Sequence, residues 1–377
     1  MRLLDSQTHQ ERTIMNINPN IFIYFDNQNI VLWDYLNHRQ FHIDRAHLEK
    51  IIEYLTTQID SDDSIQTNNL IQNDVISKEP YIKNKWSWDV LARIFHTGTS
   101  NLEFDITPKN RKEWADVYLE SCKLTLSKPS PKLRFEEEDL CNPIRIPYPS
   151  QNSSELHEVF TSRKTVREFE DRALENFKLG TILYYGLGYL REREVSLEEH
   201  IPSNMRYRRS SPSGGGLNSI EGYLYIGNVV GIEPGIYYYN PLKHTLHKLD
   251  TAPPSLGDLM SGQHFIDNIA FGVFLTCRFD RMWWKYFHSR AYRVALMEAG
   301  HISQSLQLLA ANEGLQTWVS GAFADDLVSK AIDLRNEFEN PLLFVGAGYS
   351  QGNTFSKELE ELLNNHQDKK NGLNEQN

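Results

Sequence analysis

The sequence predicts a mixed α and β fold, and three observations support that prediction. Short apolar runs typical of strands, each bounded by turn residues, occur at 222–227, 235–239, 269–277 and 341–346. Between the last two runs, apolar residues recur at helical spacing from Tyr292 to Leu309, and Gly314 ends the pattern. The glycines after the last run, Gly346 and Gly348, lack the GxGxxG spacing of a dinucleotide-binding βαβ unit. We therefore expect an α+β fold without a Rossmann site.

Residues 1–125 are predicted to form a separate N-terminal α/β module. The stretch IFIYFDNQNIVLWDYL, residues 21–36, indicates two strands around an Asp-Asn-Gln-Asn turn. Asp44 then begins a helix whose apolar side chains share one face, namely Leu48, Ile51, Ile52 and Leu55. The polar stretch 58–74 is predicted to be a loop, and the helical segment WSWDVLARIFH follows it.

Three further segments complete the predicted organisation. Residues 126–154 contain repeated prolines, which keep a chain extended, so they indicate a linker or an arm. Residues 155–352 hold the four strand-like runs and the long helix, and they are predicted to form the main domain. Residues 353–377 are rich in Asn, Glu, Gln and Lys, which predicts a frayed helix or a disordered tail.

Composition limits the functions that the chain can have. A formal net charge of -11 argues against general nucleic-acid binding, so any basic patch must be local. The three cysteines fit no CxxC pattern and are too few for a disulfide framework, which favours a reducing compartment. Neither a signal peptide nor an apolar run of membrane-spanning length is present, so we expect a cytoplasmic protein with no membrane partner. ATPase, serine-hydrolase and zinc-peptidase motifs are absent, and we expect no metal site.

Two local stretches could bind an anion. In RYRRSSPSGGGLNSIEGYLYIG, residues 206–227, three arginines precede three glycines, whose bare backbone can approach a ligand closely. A flexible surface turn is the alternative interpretation of this stretch. In TSRKTVREF, residues 161–169, cations and a hydroxyl suited to a phosphate lie close together in sequence, although alone they also fit a solvated run of charge.

These stretches, with WVSGAF after the long helix and PGIYYYNP at 234–241, resemble the nitroreductase family in order and spacing. Within that family the sequence looks most like the SagB-type dehydrogenases, flavin enzymes that oxidise thiazolines and oxazolines in azole-containing peptides. The resemblance covers roughly residues 155–350 and continues more faintly through WSWDVLARIFHTGTSN. It implies a mixed or antiparallel sheet sandwiched by helices, with FMN bound at a homodimer interface.

The resemblance also implies which residues contact the cofactor. The phosphate and ribityl end of FMN would be held by Arg163, Lys164, Thr165 and Arg167. The other subunit would contribute the glycine loop through Pro212, Ser213, Gly214, Gly215 and Asn218. Gly321 and Ala322 of WVSGAF would lie beside the flavin N5 atom. Many nitroreductases place a basic residue after the last strand as a phosphate contact, and here Ser350 and Gln351 stand in that region.

In RMWWKYFHSRAYR, residues 281–293, Lys285 and Tyr286 match the Lys-Tyr pair of azoline dehydrogenases. Aromatising an azoline removes a proton next to a carbonyl and a hydride from the neighbouring carbon, so a base is needed beside the flavin. Two adjacent residues can face one site only on a bent or irregular segment, and we expect such a bend here. A surface lysine beside an interfacial tyrosine is the alternative interpretation.

The resemblance implies an FMN-dependent dehydrogenase that acts on an azoline or a related amino-acid-derived group, with a cyclodehydratase or synthetase as partner. Three alternatives remain: an oxidase of a carrier-protein-bound intermediate, an NAD(P)H-dependent nitro or quinone reductase, and a flavin-free scaffold subunit. The N-terminal module resembles winged-helix-like elements that bind a leader peptide as an added strand. Alternatively, it only enlarges the dimer interface.

Overall fold

The chain, described here by a computed structural model, divides into two compact units after Leu102, and the described residues are 15–57, 62–82, 85–102, 105–129, 155–193, 205–334 and 338–374. The sequence placed the boundary near residue 125, but the helix Arg111–Leu126 belongs to the second unit. Its Trp114 packs against Phe265 with ring centroids 4.5 Å apart. That apolar contact fixes the helix in the second unit. Most of the predicted linker, from residue 130 to 154, lies outside the described residues.

The first unit is a three-stranded antiparallel sheet with helices. Its strands and helices are β1 Asn16–Ile17, β2 Ile21–Asp26, β3 Asn29–Asp34, β4 Arg39–Ile43, α1 Arg45–Thr57, α2 Ile65–Gln72, β5 Ile76–Ser77 and α3 Val90–Gly98. The sheet order is β2-β3-β4, while β1 and β5 form a separate two-stranded ladder. The two predicted strands and the helix after Asp44 are confirmed, and the Asp44 carboxylate accepts a hydrogen bond from the His47 N–H in the first turn at 2.9 Å.

Two elements of the first unit differ from the sequence prediction. The predicted loop 58–74 contains α2, which begins where the Ser64 hydroxyl accepts a hydrogen bond from the Thr67 N–H at 3.2 Å. Leu70 anchors this short helix in the core of the unit, so one apolar residue and one cap suffice in a polar segment. The strand β4 was missed because its five residues, RQFHI, alternate between half-buried and exposed positions and are mostly polar.

The second unit is built on a six-stranded sheet, and every pairing within it is antiparallel. Its strands are β6 Ile220–Ile226, β7 Gly235–Asn240, β8 Thr245–Lys248, β9 Phe271–Arg278, β10 Gln316–Ser320 and β11 Glu339–Gly348, in the order β10-β11-β9-β6-β7-β8. The four strands expected from the sequence are confirmed. The short strands β8 and β10 were not predicted as strands.

Helices complete the second unit. They are α4 Arg111–Leu126, α5 Glu155–Ser162, α6 Asn176–Leu187, α7 Leu256–Leu259, α8 Phe279–Lys285, α9 Ala291–Asn312, α10 Asp325–Ala331 and α11 Lys357–Asn374. The long helix α9 is confirmed, and Gly314 follows it with φ +76°, the left-handed conformation that ends helices. The expected tail forms a helix through Asn374. Of the helices in the described residues, none is both long and apolar enough to span a membrane.

Candidate functional site

Lys285 and Tyr286 lie at the bend that the sequence predicted. The strand β9 runs into the short helix α8, which ends at Lys285, and Tyr286 then adopts extended backbone angles. The Tyr286 N–H still donates to the Met282 carbonyl at 2.8 Å, so the bend is held by the last turn of the helix. The Lys285 ammonium donates to the Gly215 carbonyl at 3.0 Å. The predicted catalytic pair and the predicted glycine loop therefore meet within one chain.

The glycine loop fits closely against this pair. Gly215 has φ +62°, a left-handed conformation in which residues with a side chain are strained. A Cβ atom at Gly215 would lie 2.4 Å from the Tyr286 hydroxyl oxygen and 2.8 Å from the Lys285 nitrogen. Both distances are far below van der Waals contact. The backbone conformation thus favours glycine, and any side chain at this position would displace the ends of Lys285 and Tyr286.

The Glu298 side chain of α9 forms hydrogen bonds with the same loop. Its Oε2 atom accepts hydrogen bonds from the Ser213 hydroxyl at 2.8 Å, the Gly214 N–H at 3.3 Å and the Ser219 hydroxyl at 3.4 Å. Asn218, which also has a positive φ, closes the loop by donating its N–H to the Ser213 hydroxyl at 2.8 Å. Pro212 is exposed at the start of the loop. Sequence reasoning missed Glu298, although an acidic residue within an apolar helical stripe was a detectable signal.

The arginines before the loop have different tasks. Arg209 is 3% exposed, and its guanidinium donates to the carbonyls of Leu187 at 2.8 Å and Ile220 at 2.6 Å. It therefore links α6 to β6 as a structural residue. The Arg208 guanidinium donates to the carbonyl of Tyr207 at 3.0 Å. The positive charge of this stretch is used at least partly to satisfy backbone carbonyls.

The predicted phosphate-binding segment, residues 161–169, which we call the phosphate segment, lies beside β10. Thr165 pairs with Thr317 in a parallel bridge, in which the Val166 N–H donates to the Thr317 carbonyl at 3.1 Å. The Arg163 guanidinium lies 3.3 Å from the Thr165 hydroxyl, which accepts its hydrogen bond, and Lys164 is exposed. The strand that carries Thr317 leads directly into Gly321 and Ala322, both exposed. Gln263 supports that turn by donating to the Ala322 carbonyl at 3.0 Å.

Ser350 and Arg167 lie at the other end of this segment. The Ser350 hydroxyl donates to the Glu168 carbonyl at 2.6 Å and accepts from the Gly352 N–H at 3.1 Å. The Arg167 guanidinium donates to the Thr354 carbonyl at 3.2 Å and lies 5.5 Å from the centre of the Tyr118 ring. The segment after β11 thus packs along the phosphate segment.

The structure therefore gathers the predicted residues into two groups. We name the basic group as Arg163, Lys164, Thr165, Arg167, Gly321, Ala322 and Ser350, and the loop group as Pro212, Ser213, Gly214, Gly215, Asn218, Lys285 and Tyr286. The residues of the basic group are connected through β10 and the segment after β11. The residues of the loop group are connected through Glu298 and through the hydrogen bond from Lys285 to Gly215.

The basic group suits the phosphate of a nucleotide cofactor. Within the described part of the chain, none of Arg163, Lys164 and Arg167 forms an ion pair with a carboxylate. Their neighbour Arg111, in contrast, pairs with both Glu168 and Glu358. Three cations without acidic partners, next to a hydroxyl and an exposed Gly-Ala backbone, fit a dianion and the chain attached to it.

The buried cysteine next to the loop group is not reactive. Burial, reinforced by the nearby Glu298 carboxylate, raises the pKa of the Cys277 thiol well above its ordinary value. The thiol therefore stays protonated, and a protonated thiol is a poor nucleophile.

An antiparallel sheet packed with helices, with a glycine loop against a Lys-Tyr pair and a basic cluster beside β10, is the architecture of an α+β protein of the nitroreductase fold. The chain belongs to the nitroreductase family, whose model matches residues 160–349. The family and the fold implied by the sequence resemblance are thus confirmed.

Three relatives refine this assignment. The chain is 27% identical over 207 residues to MJ1384 of Methanocaldococcus jannaschii, which is provisionally named a nitroreductase; the match covers 54% of this chain and 96% of that protein. It is 32% identical over 133 residues to the trifolitoxin-processing protein TfxB of Rhizobium leguminosarum bv. trifolii, covering 34% of this chain and 36% of the relative. It is 32% identical over 143 residues to the microcin B17-processing protein McbC of Escherichia coli, covering 36% and 52%. The chain therefore matches only about a third and a half of the two processing proteins.

Proposed function

We propose that the protein is an FMN-dependent dehydrogenase that oxidises an azoline, or a related amino-acid-derived group, to the azole during the biosynthesis of a peptide natural product. The contact between the glycine loop and the pair Lys285 and Tyr286, in a chain of the nitroreductase family, carries this proposal. Similarity to proteins that process trifolitoxin and microcin B17 supports a peptide-derived substrate. By the same similarity, we propose that a cyclodehydratase or synthetase supplies the azoline.

The basic group would hold the phosphate and ribityl end of FMN, because its cations lack acidic partners among the described residues. The exposed backbone of Gly321 and Ala322 would border the flavin ring. Of the basic group, Ser350 would not donate to the phosphate, because its hydroxyl already donates to the Glu168 carbonyl and accepts from the Gly352 N–H. By the family resemblance, the loop group would contact the flavin that is held by the basic group of a second copy of the chain.

The chemistry requires one proton and one hydride to leave adjacent ring atoms. The hydride acceptor is supplied by FMN when it is bound. The proton would pass to Lys285 or Tyr286, whose side chains both reach Gly215 because α8 ends between them. The Lys285 side chain is exposed, so a bound substrate can reach its nitrogen atom. The loop would keep the base at a fixed distance from the reacting ring.

Similarity to MJ1384 over nearly the whole of that protein favours a second candidate, an NAD(P)H-dependent nitro or quinone reductase. The two functions differ in the direction of electron flow. Steady oxidation of NADPH in the presence of a quinone would support the reductase, whereas reduction of the bound flavin by a thiazoline-containing peptide would support the dehydrogenase.

For the N-terminal unit, we propose recognition of an extended segment of the substrate peptide. Its strand β4 is an edge of the three-stranded sheet. Between β4 and α2 lies a cleft of about 350 Å³, with an apolar floor that includes Phe41, Ile43 and Leu70. A peptide that added to β4 as a strand would direct alternate side chains into this cleft. The polar rim, which includes His47 and Asn69, offers further hydrogen bonds.

The first experiment is the visible spectrum of the freshly purified protein, with identification of any chromophore that denaturation releases. About one FMN per chain is expected from the family fold. Lys285→Ala and Tyr286→Phe should then retain flavin and lose the conversion of a thiazoline-containing peptide, measured by mass spectrometry as the loss of two hydrogens. A protein that cannot be reconstituted with FMN would refute the proposal. Unchanged conversion in both variants would remove the proposed bases.

The recognition proposal has its own matched pair of variants. Asn69 lines the cleft, whereas the neighbouring Asn68 is also exposed on α2 but does not line it. Asn69→Trp should fill the cleft and weaken binding of the labelled precursor peptide by about tenfold or more, since anchor pockets dominate such interfaces. Asn68→Trp should bind like the unmodified protein. Equal affinity of the two variants would contradict recognition at this cleft.

A further inference from the structure

Glu298 is a buried carboxylate on a helix face that is otherwise mainly apolar. It is 2% exposed and lies between Ala295 and Ile302 on the buried side of α9. Moving a carboxylate from water into a protein interior costs several kcal/mol unless hydrogen bonds compensate for the loss of water. Packing would favour an apolar residue at this position. The hydrogen bonds of Glu298 therefore indicate what the carboxylate is for.

Within the described residues, the hydrogen bonds that the carboxylate accepts come from the two ends of the glycine loop. Ser213 and Gly214 bind Oε2 at the start of the loop, and Ser219 binds it at the end. The second carboxylate oxygen, Oε1, is also buried, and the described residues contain no hydrogen-bond partner for it. Oε2 thus binds both ends of the loop, and we call this set of hydrogen bonds the clamp. No hydrogen bond within the described residues compensates for the loss of water around Oε1.

The clamp determines where the Gly215 carbonyl points. Gly215 follows directly after the two clamped residues, and its carbonyl accepts the Lys285 ammonium at 3.0 Å. We infer that Glu298 is a positioning residue: it fixes the loop and, through the Gly215 carbonyl, the side chain of Lys285. The role in catalysis rests on the proposed function, in which Lys285 is a base, whereas the clamp itself depends only on residues of this chain.

Hydrogen exchange of the purified protein tests the clamp without substrate. In Glu298→Ala, the amides of Gly214 and Asn218 lose their partners directly or through Ser213, so their exchange should accelerate by about tenfold or more. Glu298→Gln keeps an acceptor oxygen and should show a smaller increase. The control is the same pair of substitutions at Glu339, which is 7% exposed and accepts from Thr276 at 2.6 Å. In these two Glu339 variants, hydrogen exchange in the glycine loop should be unchanged.

Steady-state kinetics test the link to Lys285. If Glu298 acts through Lys285, Glu298→Ala should lower kcat about tenfold with little change in KM, and Glu298→Gln, which keeps an acceptor oxygen, should recover most of the lost kcat. An unchanged kcat in Glu298→Ala would overturn the positioning role, and unchanged loop exchange in Glu298→Ala and Glu298→Gln would overturn the clamp. Failure of the unmodified protein to bind FMN or to turn over substrate would instead refute the proposed function and leave the exchange result interpretable.

Discussion

Replacing Gly215 by alanine tests whether the glycine loop and the pair Lys285 and Tyr286 work as one site. The new Cβ atom would lie 2.4 Å from the Tyr286 oxygen and 2.8 Å from the Lys285 nitrogen, so both side chains must move. Both contacts are to the ends of flexible side chains, which can rotate away. The substitution should therefore disturb the site more than it disturbs the fold.

The magnitude follows from two separate effects. Alanine in the left-handed conformation costs about 1–2 kcal/mol. Loss of the hydrogen bond between Lys285 and Gly215 adds about 0.5–1.5 kcal/mol. Gly314→Ala is the matched control, because Gly314 has φ +76° and no described atom outside its immediate chain neighbours lies within 4 Å of the place that a Cβ atom would take. It carries the conformational strain alone.

Thermal unfolding, FMN content and conversion of a thiazoline-containing peptide should be measured on both variants. Strain should lower the melting temperature of each by about 2–8 °C. Turnover should fall by up to about 100-fold only in Gly215→Ala, because a displacement of about 1 Å at a catalytic group has that effect. Equal turnover in Gly215→Ala and Gly314→Ala, with FMN still bound, would refute the reasoning.

Two further predictions concern the other parts of the chain. Arg163→Ala and Lys164→Ala should each weaken FMN binding by about tenfold or more, with a larger effect at low salt, as measured by fluorescence titration. Binding unchanged by both would contradict a phosphate site there. Burial alone would raise the pKa of Asp34, but hydrogen bonds from Asn37 and Arg39 outweigh it and hold the pKa below its ordinary value. Asp34→Asn should therefore lower stability by about 1–3 kcal/mol at neutral pH, a difference that shrinks as the pH falls through the lowered pKa and is checked by thermal unfolding across pH.

Local patterns in the sequence predicted much of the fold. The strands β6, β7, β9 and β11 are apolar enough to be recognised alone, and the stripe from Tyr292 to Leu306 is buried in α9 as expected. The boundary between the units was not predictable in this way. It depends on Trp114 meeting Phe265, a contact between residues far apart in sequence. Short elements such as β8 have too few residues to show a period.

In the candidate site, too, the local features were predictable from the sequence and the long-range contacts were not. The bend at Lys285 and Tyr286 was expected once the family resemblance had placed both residues at one site, and the three glycines were expected to bring bare backbone close to a ligand. The hydrogen bond from Lys285 to Gly215 and the clamp by Glu298 were not expected. They link segments about 70 to 85 residues apart, and a single sequence does not show which distant residues come into contact.

The positions of the basic group and the loop group along α9 lead to a prediction about assembly. Gln307 of α9 lies 3.5 Å from the Thr317 hydroxyl, beside the basic group, whereas Glu298 lies beneath the loop group. At about 1.5 Å per residue, these two points are about 14 Å apart along the helix. In a twofold-symmetric dimer, the basic group of one copy can face the loop group of the other, so that each flavin site uses both chains.

Co-expression of two inactive variants distinguishes a shared site from a single-chain site. We expect Arg163→Glu to abolish the basic group and Lys285→Ala to abolish the base, and each protein alone to be inactive. In a mixed dimer with shared sites, one site receives both defects and the other receives neither. Random pairing should therefore restore about a quarter of the activity of the unmodified protein, because half of the dimers are mixed and each has one intact site. With single-chain sites every site carries one defect, so co-expressed protein that stays inactive while forming mixed dimers would refute the shared site.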